Sequence, residues 1–447
     1  MRKTEHPPAL QKRLDQSDLL LKIKSGTLKK IIRTEESSYP YWDKWKYLAK
    51  EWEEDPKMIW QYIKRYRGNF TSINFPKLRE HQISLNFPST ALQQLHELDL
   101  YLSGNLQEGN LIPENEKKHY LLSSLMEEAI ASSQLEGAAT TRRIAKEMLE
   151  TNRKPRNLSE QMIINNYAAM QWIVRNRNTE MTTGRISQLH HIITNKTLQN
   201  KNEEGEFRAH DDIHIMDVQT GAIVHTPPPH ATLDDLMDKY CLLANDELKQ
   251  DFFLHPVARA VALHFLMGYI HPFADGNGRT ARALFYWYLI RKGYWLIEYL
   301  SVSRIILESK AQYARAYQHT ELDEMDLTYF LLYNLKAIRR ALEDLKKYIY
   351  RKSQEKKIVL DLLKNTRYNE RQISVLQEIL NDDQNTFTVS LIERKFEVSN
   401  QTARNDLNQL VEDGILQSRR NGKQMQFIPA PGSIKKIRKQ APENGRA

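Results

Sequence analysis

The sequence is poor in cysteine and has no long apolar run. Cys241 is the one cysteine among 447 residues, so an internal disulfide and a thiolate metal cluster are both excluded. No stretch of about 18 uninterrupted apolar residues occurs, so no membrane span is expected. The first residues lack the apolar segment of a secretory signal. These absences predict a cytoplasmic protein without a membrane partner, in which Cys241 packs inside a helix rather than acting as a nucleophile.

Acidic residues are outnumbered, because 65 Lys and Arg face 56 Asp and Glu, which leaves a net charge of +9. This excess is compatible with nucleic-acid or nucleotide binding, but many proteins without such ligands share it. The chain ends in a short basic run between Pro- and Gly-containing segments, and residues 431–447 are therefore predicted to be a basic tail.

Helical patterns dominate the chain. Asp55, Pro56 and Gly68 predict a capped helix between them. The aromatic residues around this helix favour core packing over a base-stacking platform. A long helix is predicted at about 118–136, because apolar and small residues recur there at three- and four-residue steps before Gly137. Further helical segments are predicted at about 140–151, 159–176, 184–199, 232–247, 256–269, 279–292 and 326–364.

A different pattern interrupts the helices. Residues 213–217 and 222–226 flank a turn sequence at 219–221, which predicts a short β-hairpin. The prolines at 227–229 stop any strand that follows.

The glycine-rich segment 271–282 joins two predicted helices. Gly276 and Gly278 allow a sharp turn and a close approach to a ligand. The loop leads directly into a helix N-terminus, where free N–H groups favour an anion. Arg279 and Arg282 are one turn apart, so both can face the same phosphate chain.

Two further side chains of this segment have the chemistry of group transfer. Asp275 offers a carboxylate, a ligand that Mg²⁺ prefers together with phosphates. His271 can accept a proton near neutral pH. A base, a metal ligand, a phosphate-binding turn and two arginines are what phosphoryl or nucleotidyl transfer to a hydroxyl requires.

The run from His271 to Arg282 resembles the signature of the Fic (filamentation induced by cAMP) family at every defined position. The resemblance covers about residues 90–300 and includes the segment from Gly205 to Arg208. It implies ATP and Mg²⁺ as cofactors, with the hairpin as a flap that aligns a target chain. It also implies a role for each loop residue: His271 as general base, Asp275 as Mg²⁺ ligand, Phe273 as anchor, Asn277 with Gly276 and Gly278 as the anion hole, and Arg279 and Arg282 on the outer phosphates.

The segment from Ser132 to Gly137 resembles the inhibition motif of the same family. The resemblance implies that Glu136 pairs with Arg282 and takes an arginine that should hold the γ-phosphate. Ser132 and Glu136 share one helix face because they are four residues apart. Gly137 is expected to remove a side chain where the helix end approaches another surface. The alternative is that Glu136 is an ordinary solvated charge.

Residues 366–430 resemble a winged helix. Thr388 to Phe396 and Asn400 to Asp413 read as two helices, with Ser399 as an N-cap, before a strand pair at 415–419 and 424–428. On a DNA-binding reading, Arg419, Arg420 and Lys423 would contact phosphates, and the major groove would be read by Gln401, Thr402, Arg404 and Asn405. Such domains also bind proteins, and this alternative stays open.

The sequence therefore predicts a mainly α protein: a Fic-type helical bundle with a β-hairpin flap, plus a C-terminal winged helix-turn-helix domain. The predicted regions are a helical N-terminal region (1–95), a Fic domain (96–300) with its inhibitory helix at about 118–137, a helical extension (301–365), the winged helix (366–430) and the basic tail (431–447).

The predicted function is that of a protein adenylyltransferase. It moves AMP from ATP to a Ser, Thr or Tyr hydroxyl of a protein, and that protein can be the chain itself. Glu136 inhibits the transfer. A homodimer is left open. The alternative is a DNA-binding transcriptional regulator in which the Fic domain senses nucleotide. A third reading, phosphate transfer as in the related Doc toxins, is disfavoured because those proteins depart from this loop at the second glycine, which is intact here as Gly278.

Overall fold

The computed structural model describes residues 4–9, 23–68, 71–103, 117–216, 221–364, 368–381, 385–421 and 424–440. The chain divides into two compact units, Met1–Leu345 and Lys346–Ala447. Helix dominates both, and the described strands form three two-stranded antiparallel sheets. The described part of the chain contains no helix that is long and apolar enough to span a membrane.

The first unit holds most of the helices. They are α1 (Ser25–Ser38), α2 (Trp42–Glu51), α3 (Pro56–Tyr66), α4 (Ser89–Leu102), α5 (Lys117–Leu135), α6 (Arg142–Glu150), α7 (Leu158–Arg175), α8 (Thr183–Thr194), α9 (Leu233–Ala244), α10 (Pro256–Ile270), α11 (Asn277–Arg291), α12 (Val302–Glu308) and α13 (Lys310–Leu322). The long α14 (Thr328–Lys364) runs from the first unit into the second. The strands are β1 (Thr71–Ser72), β2 (Ser84–Leu85), β3 (Ile215–Met216) and β4 (Ile223–His225).

Local sequence explains where these helices begin. The side chain of Asp55 accepts a hydrogen bond from the Lys57 N–H at 2.8 Å, and Pro56 opens α3 as predicted. Asn157 and Thr182 cap α7 and α8 in the same way. Helix α8 ends at Thr194, earlier than the predicted 199, because the backbone leaves the helical conformation at Asn195, where ψ is 118°.

The core of the first unit surrounds α10 and α11. Both helices are buried along nearly their whole circumference, so their apolar residues are not confined to one stripe, and the N-terminal part of α11 also buries polar and charged side chains. Their junction carries the glycine-rich loop, so this loop is held between two fully packed helices. Cys241 is buried on α9, and burial raises the pKa of its thiol to about 12, in keeping with the predicted packing role.

The N-terminal region is part of the same compact unit. Trp45 and Trp60 are buried, as core packing predicts. Arg67 is fully buried, and its Nη2 lies 2.8 Å from Glu35 Oε1 while its Nη1 lies 3.5 Å from Asp323 Oδ2. A buried guanidinium needs such partners. The cluster therefore ties α1 and the end of α3 to the segment between α13 and α14.

The second unit has the elements of a winged helix. They are α15 (Glu370–Asn381), α16 (Val389–Phe396), α17 (Asn400–Glu412), β5 (Leu416–Asn421), β6 (Gln424–Pro429) and α18 (Ser433–Gln440). Helix α15 was not predicted from the sequence, and its residues Leu376 and Ile379 are fully buried in this unit's core. The first part of the predicted basic tail forms α18, which buries Ile437 in the same core.

Candidate active site

His271 lies at the junction between α10 and the loop. It is the C-cap of α10 in a left-handed conformation, with φ of 50°. Its Nδ1 is 3.2 Å from the Gly268 carbonyl oxygen, which can only accept, so Nδ1 carries the proton and Nε2 is the basic nitrogen. Burial lowers the pKa of His271 to about 4. The imidazole is therefore neutral at pH 7 and able to take a proton.

The loop is closed by Asn277 and Phe273. The Asn277 side chain accepts from the Phe273 N–H at 3.0 Å and donates to the Phe273 carbonyl at 2.8 Å, and it is buried. The oxygen and one N–H of its amide are therefore engaged within the loop, and the role of Asn277 in an anion hole stays a prediction. The Phe273 ring is fully buried and fits the predicted anchoring role.

A histidine that the sequence analysis missed supports the loop from α8. The ring of His190 stacks on Phe273, with centroids 3.6 Å apart. Its Nδ1 accepts from the Gly205 N–H at 3.0 Å, so its Nε2 is the protonated nitrogen that donates to the Asp275 carbonyl at 2.7 Å. His190 thus fixes the backbone at the predicted metal ligand. Nothing in its local sequence distinguishes it from a core histidine.

Asp275 presents its carboxylate outward. The side chain is 62% exposed, Oδ1 accepts from the Gly276 N–H at 2.5 Å, and Oδ2 is 3.8 Å from Arg279 Nη2. Gly276 has a positive φ of 83°, and a Cβ there would come within 2.8 Å of the Thr194 methyl group. Glycine is therefore required at Gly276 both by the backbone and by the close approach of α8.

Arg282 is buried and engaged by the end of α5. Its Nε donates to the Ser132 hydroxyl at 2.9 Å, and its Nη2 donates to the Ser132 carbonyl at 3.1 Å and to Glu136 Oε1 at 2.7 Å. Burial acts to raise the pKa of Glu136, but the adjacent Arg282 outweighs it and the pKa is lowered. Glu136 is therefore a carboxylate at neutral pH, and the structure brings together the pair that the motif implied.

The Glu136 carboxylate also lies directly over Gly278. A Cβ at Gly278 would collide with Glu136 Oε1 and come within 3.1 Å of Arg282 Nη1. A negatively charged group is thus already seated where the loop enters α11, at a helix N-terminus. A side chain at Gly278 would have to displace the Glu136 carboxylate, a contact that the sequence alone did not reveal.

The remaining predicted residues differ in their surroundings. Gly137 has a positive φ of 96°, and no atom lies within 4 Å of the position of its absent Cβ. The expectation of a close approach there was wrong, because the glycine serves the left-handed turn after α5. Arg279 is buried and donates to the Ile193 carbonyl at 3.1 Å, so its guanidinium is held from behind by α8.

Two parts of the chain match known domains. Residues 180–289 match the Fic/DOC family, and residues 371–426 match the DeoR-like helix-turn-helix domain. The chain contains a Fic domain. The matched stretch holds the whole loop together with α8, which carries His190.

Several relatives of this Fic domain carry a common name. The protein adenylyltransferase Fic of Aedes aegypti is 36% identical over 130 residues, which are 28% of this chain and 24% of that relative. The Drosophila mojavensis protein of the same name is 41% identical over 92 residues, or 21% of this chain and 16% of that relative. The chain thus spans about a quarter or less of the length of these curated relatives.

Solved structures of Fic proteins are also similar. A Fic family protein from Desulfovibrio desulfuricans G20 is 18% identical, with a TM-score of 0.46, over 75% of this chain and 94% of that one. Fic-1 from C. elegans is 18% identical, with a TM-score of 0.42, over 57% of this chain and 72% of that one.

The Fic domain carries a short antiparallel hairpin beside the loop. Ile215 pairs with His225 and Met216 with Ile223, as the sequence predicted, whereas the turn at 217–220 lies outside the described residues. His225, which the sequence analysis did not single out, has its Nε2 2.8 Å from the Tyr269 carbonyl and its Nδ1 2.8 Å from a Glu321 oxygen. The hairpin is thereby attached to the end of α10, next to the base.

The residues predicted to contact the major groove of DNA lie on α17 of the second unit. Gln401, Arg404 and Asn405 are exposed, while Thr402 is half-buried and hydrogen-bonds to the N-cap Ser399. Arg419 and Arg420 are exposed on β5, and Lys423 lies outside the described residues. The exposed side chains form a polar face of a kind that can meet DNA.

Proposed function

We propose that the Fic domain transfers AMP from ATP to a hydroxyl side chain of a protein. The single observation that carries the proposal is the seating of the Glu136 carboxylate against Arg282 and Gly278, because it identifies a place built for an anion beside a neutral base. The names of the relatives support the same activity, although they cover only part of this chain.

The chemistry follows from the basic nitrogen of His271. The target hydroxyl gives its proton to Nε2 as its oxygen bonds to the α-phosphorus of ATP. The bond from the α-phosphorus to the oxygen bridging to the β-phosphate breaks, and pyrophosphate leaves. The α11 N-terminus and the arginines stabilise the negative charge on the phosphates. The hairpin would present the target by strand addition, because Met216 and Ile223 are exposed on it.

Mg²⁺ fits the residues that are present. Among the described residues no group of three or more His, Cys, Asp or Glu side chains could hold a metal ion by itself, so a divalent ion would need other ligands. Asp275 offers an accessible carboxylate in the loop. A magnesium ion that is held mainly by substrate phosphates needs only one such carboxylate from the protein. Bound there, the ion would neutralise phosphate charge.

Glu136 then acts as an inhibitor within the same chain. While it holds Arg282, this arginine is not free to bind the γ-phosphate, and the carboxylate repels the phosphates of ATP. The triphosphate would bind in a position unsuited to attack on its α-phosphorus.

Labelling by ATP tests the proposal. The full chain is incubated with ATP labelled on the α-phosphate, Mg²⁺ and cell lysate, and AMP incorporation is followed by intact mass and by labelled bands. Glu136→Gly should raise incorporation by about tenfold or more, the effect of about 1.4 kcal/mol. Adding His271→Ala should abolish it, whereas His191→Ala, on an exposed histidine of α8, should leave it unchanged. Equal labelling with and without His271 would contradict the proposal.

DNA binding is the second candidate function. It is favoured by the exposed polar face of α17 and by the DeoR-like match over residues 371–426. The two functions are compatible, because the residues that would carry them lie in different compact units.

A further inference from the structure

A carboxylate on α5 itself is more deeply buried than Glu136. Glu128 lies two helical turns before Glu136, and it is 1% exposed. Its oxygens accept from the Tyr286 hydroxyl at 2.8 Å, the Ser301 hydroxyl at 3.2 Å and the Ser303 N–H at 3.0 Å, and also from the Ser303 hydroxyl. Four donors converge on one carboxyl group, as a buried acidic side chain requires, while burial raises its pKa above the ordinary value.

Glu128 on α5 and Glu136 just after it meet the same face of α11. Glu136 contacts Arg282, and Glu128 contacts Tyr286, which is one turn further along α11. The residue number increases along α5 while the number of its partner on α11 decreases, so the two helices are antiparallel here. The contact therefore has two polar levels, with Ser132 on the same level as Arg282.

These two levels have different structural support. Glu136 follows the last residue of α5, in the turn, and its side chain is 30% exposed. Whether its carboxylate reaches Arg282 depends on the position of α5 along the helix axis. Sliding α5 by one residue would move its end by about 1.5 Å, enough to break a hydrogen bond of 2.7 Å. At Glu128 the same slide would leave a buried carboxylate without its donors.

We propose that Glu128 is a positioning residue of the autoinhibition: it holds α5 in the axial register at which Glu136 reaches Arg282. This inference rests on the proposed function. Within the described part of the chain, Glu128 makes no hydrogen bond to the loop or to His271. Its charge acts on Arg282, and it reaches the inhibitory contact by setting the register of α5. Its loss weakens the inhibitory contact and so raises the transfer of AMP, whereas a residue that only stabilises the fold lowers activity when it is replaced.

Glu128→Gln is the principal test. The amide keeps the shape of the side chain but turns an NH₂ group toward hydrogen-bond donors. Ser303→Ala is the milder variant, since it removes one donor only. Glu127→Gln is the matched control, because Glu127 is the neighbouring carboxylate on α5 and pairs with the exposed Arg142. Each change is made in the full chain, alone and together with Glu136→Gly, and incorporation of labelled AMP is measured with thermal melting alongside.

The expected result is a pattern across the variants. Glu128→Gln raises incorporation by about fivefold or more, the lower end of a regulatory coupling, and Ser303→Ala raises it by less. Glu127→Gln leaves it unchanged. In the Glu136→Gly background neither Glu128→Gln nor Ser303→Ala adds a further increase, because the contact that they act through is already gone.

Three outcomes would overturn the inference. In the first, Glu136→Gly raises labelling while Ser303→Ala and a folded Glu128→Gln stay at the parental level; if Glu128→Gln does not fold, Ser303→Ala alone decides. In the second, the increases add to that of Glu136→Gly, which means that they arise by another route. In the third, Glu136→Gly itself has no effect, and then the proposed autoinhibition fails together with the inference.

Discussion

His271 can act through Nε2 because the backbone already uses its other nitrogen. The Gly268 carbonyl takes the Nδ1 proton, and burial keeps the ring neutral by lowering its pKa to about 4. A buried histidine with one committed nitrogen is unprotonated at pH 7 and so ready to accept a proton, and a pKa this far below 7 makes it a weak base.

The lowered pKa of His271 predicts the pH dependence of the reaction. The base must be unprotonated, and a pKa of about 4 keeps it so across the neutral and mildly acidic range. The kcat/KM of the Glu136→Gly form should therefore stay level as the pH falls from 7 to about 5, and decline only below that. Initial rates across this range measure it, with circular dichroism at each pH as the control. An acidic limb centred near 6.5, the ordinary value, would contradict this assignment.

At the scale of elements, the loop between α10 and α11 is held from three sides. Asn277 clasps it from within, α8 supports it through His190, and the end of α5 contacts Gly278 through Glu136. Each support comes from a helix whose own position is fixed by burial. The loop is therefore preorganised, which is what positioning a phosphate chain requires.

Removing the support from α8 should impair transfer without unfolding the domain. His190→Ala, made in the Glu136→Gly form, frees the Asp275 carbonyl and the stacked Phe273 ring. We expect a loss of roughly tenfold to a hundredfold in AMP transfer, the cost of misplacing a reacting group by about 1 Å. His191→Ala is the matched control. A His190→Ala form with the parental rate and melting temperature would show that the loop needs no such support.

At the scale of the whole molecule, a buried charge cluster joins the N-terminal region to the rest of the first unit. Arg67 contacts Glu35 and Asp323 without access to water, and Tyr39 donates to Asp326 at 2.7 Å beside them. The predicted boundary near residue 95 stays a prediction about domains, but this cluster makes the flanking segments depend on one another.

Breaking the cluster should destabilise the first unit. Arg67→Ala leaves Glu35 buried without its cation, and we expect a loss of about 3–5 kcal/mol in the free energy of unfolding. Chemical denaturation measures this loss. Arg339→Ala, which removes an exposed arginine of α14, should change the free energy by no more than about 0.5 kcal/mol. Equal effects of the two substitutions would mean that the cluster contributes no more than a surface pair.

The second unit gives a separate prediction for DNA. A gel shift of the full chain on the DNA upstream of its own gene should show a complex that Arg404→Ala weakens by about tenfold or more, the value of one good base contact. Arg339→Ala lowers the net charge equally but lies on α14, so it should leave the complex unchanged. If both variants bind as the parent does, α17 does not read DNA.

The sequence by itself determined the features that depend on neighbouring residues. The loop from His271 to Arg282, the cap of α3 and the two helices on either side of Ser399 were all predicted, because turns, caps and helix periodicity arise from contacts a few residues apart. Family resemblance extended this to the pairing of Glu136 with Arg282, which the structure brings within hydrogen-bond distance.

Only the tertiary structure decided which distant groups support that loop. His190, Glu128 and Arg67 find their partners far along the chain, and each looks like an ordinary core or surface residue in its own segment. The tertiary structure likewise turned the Asn277 amide inward and made Gly278 face a carboxylate. The reason is physical: a buried polar group must find partners, but packing alone determines which groups lie close enough to provide them.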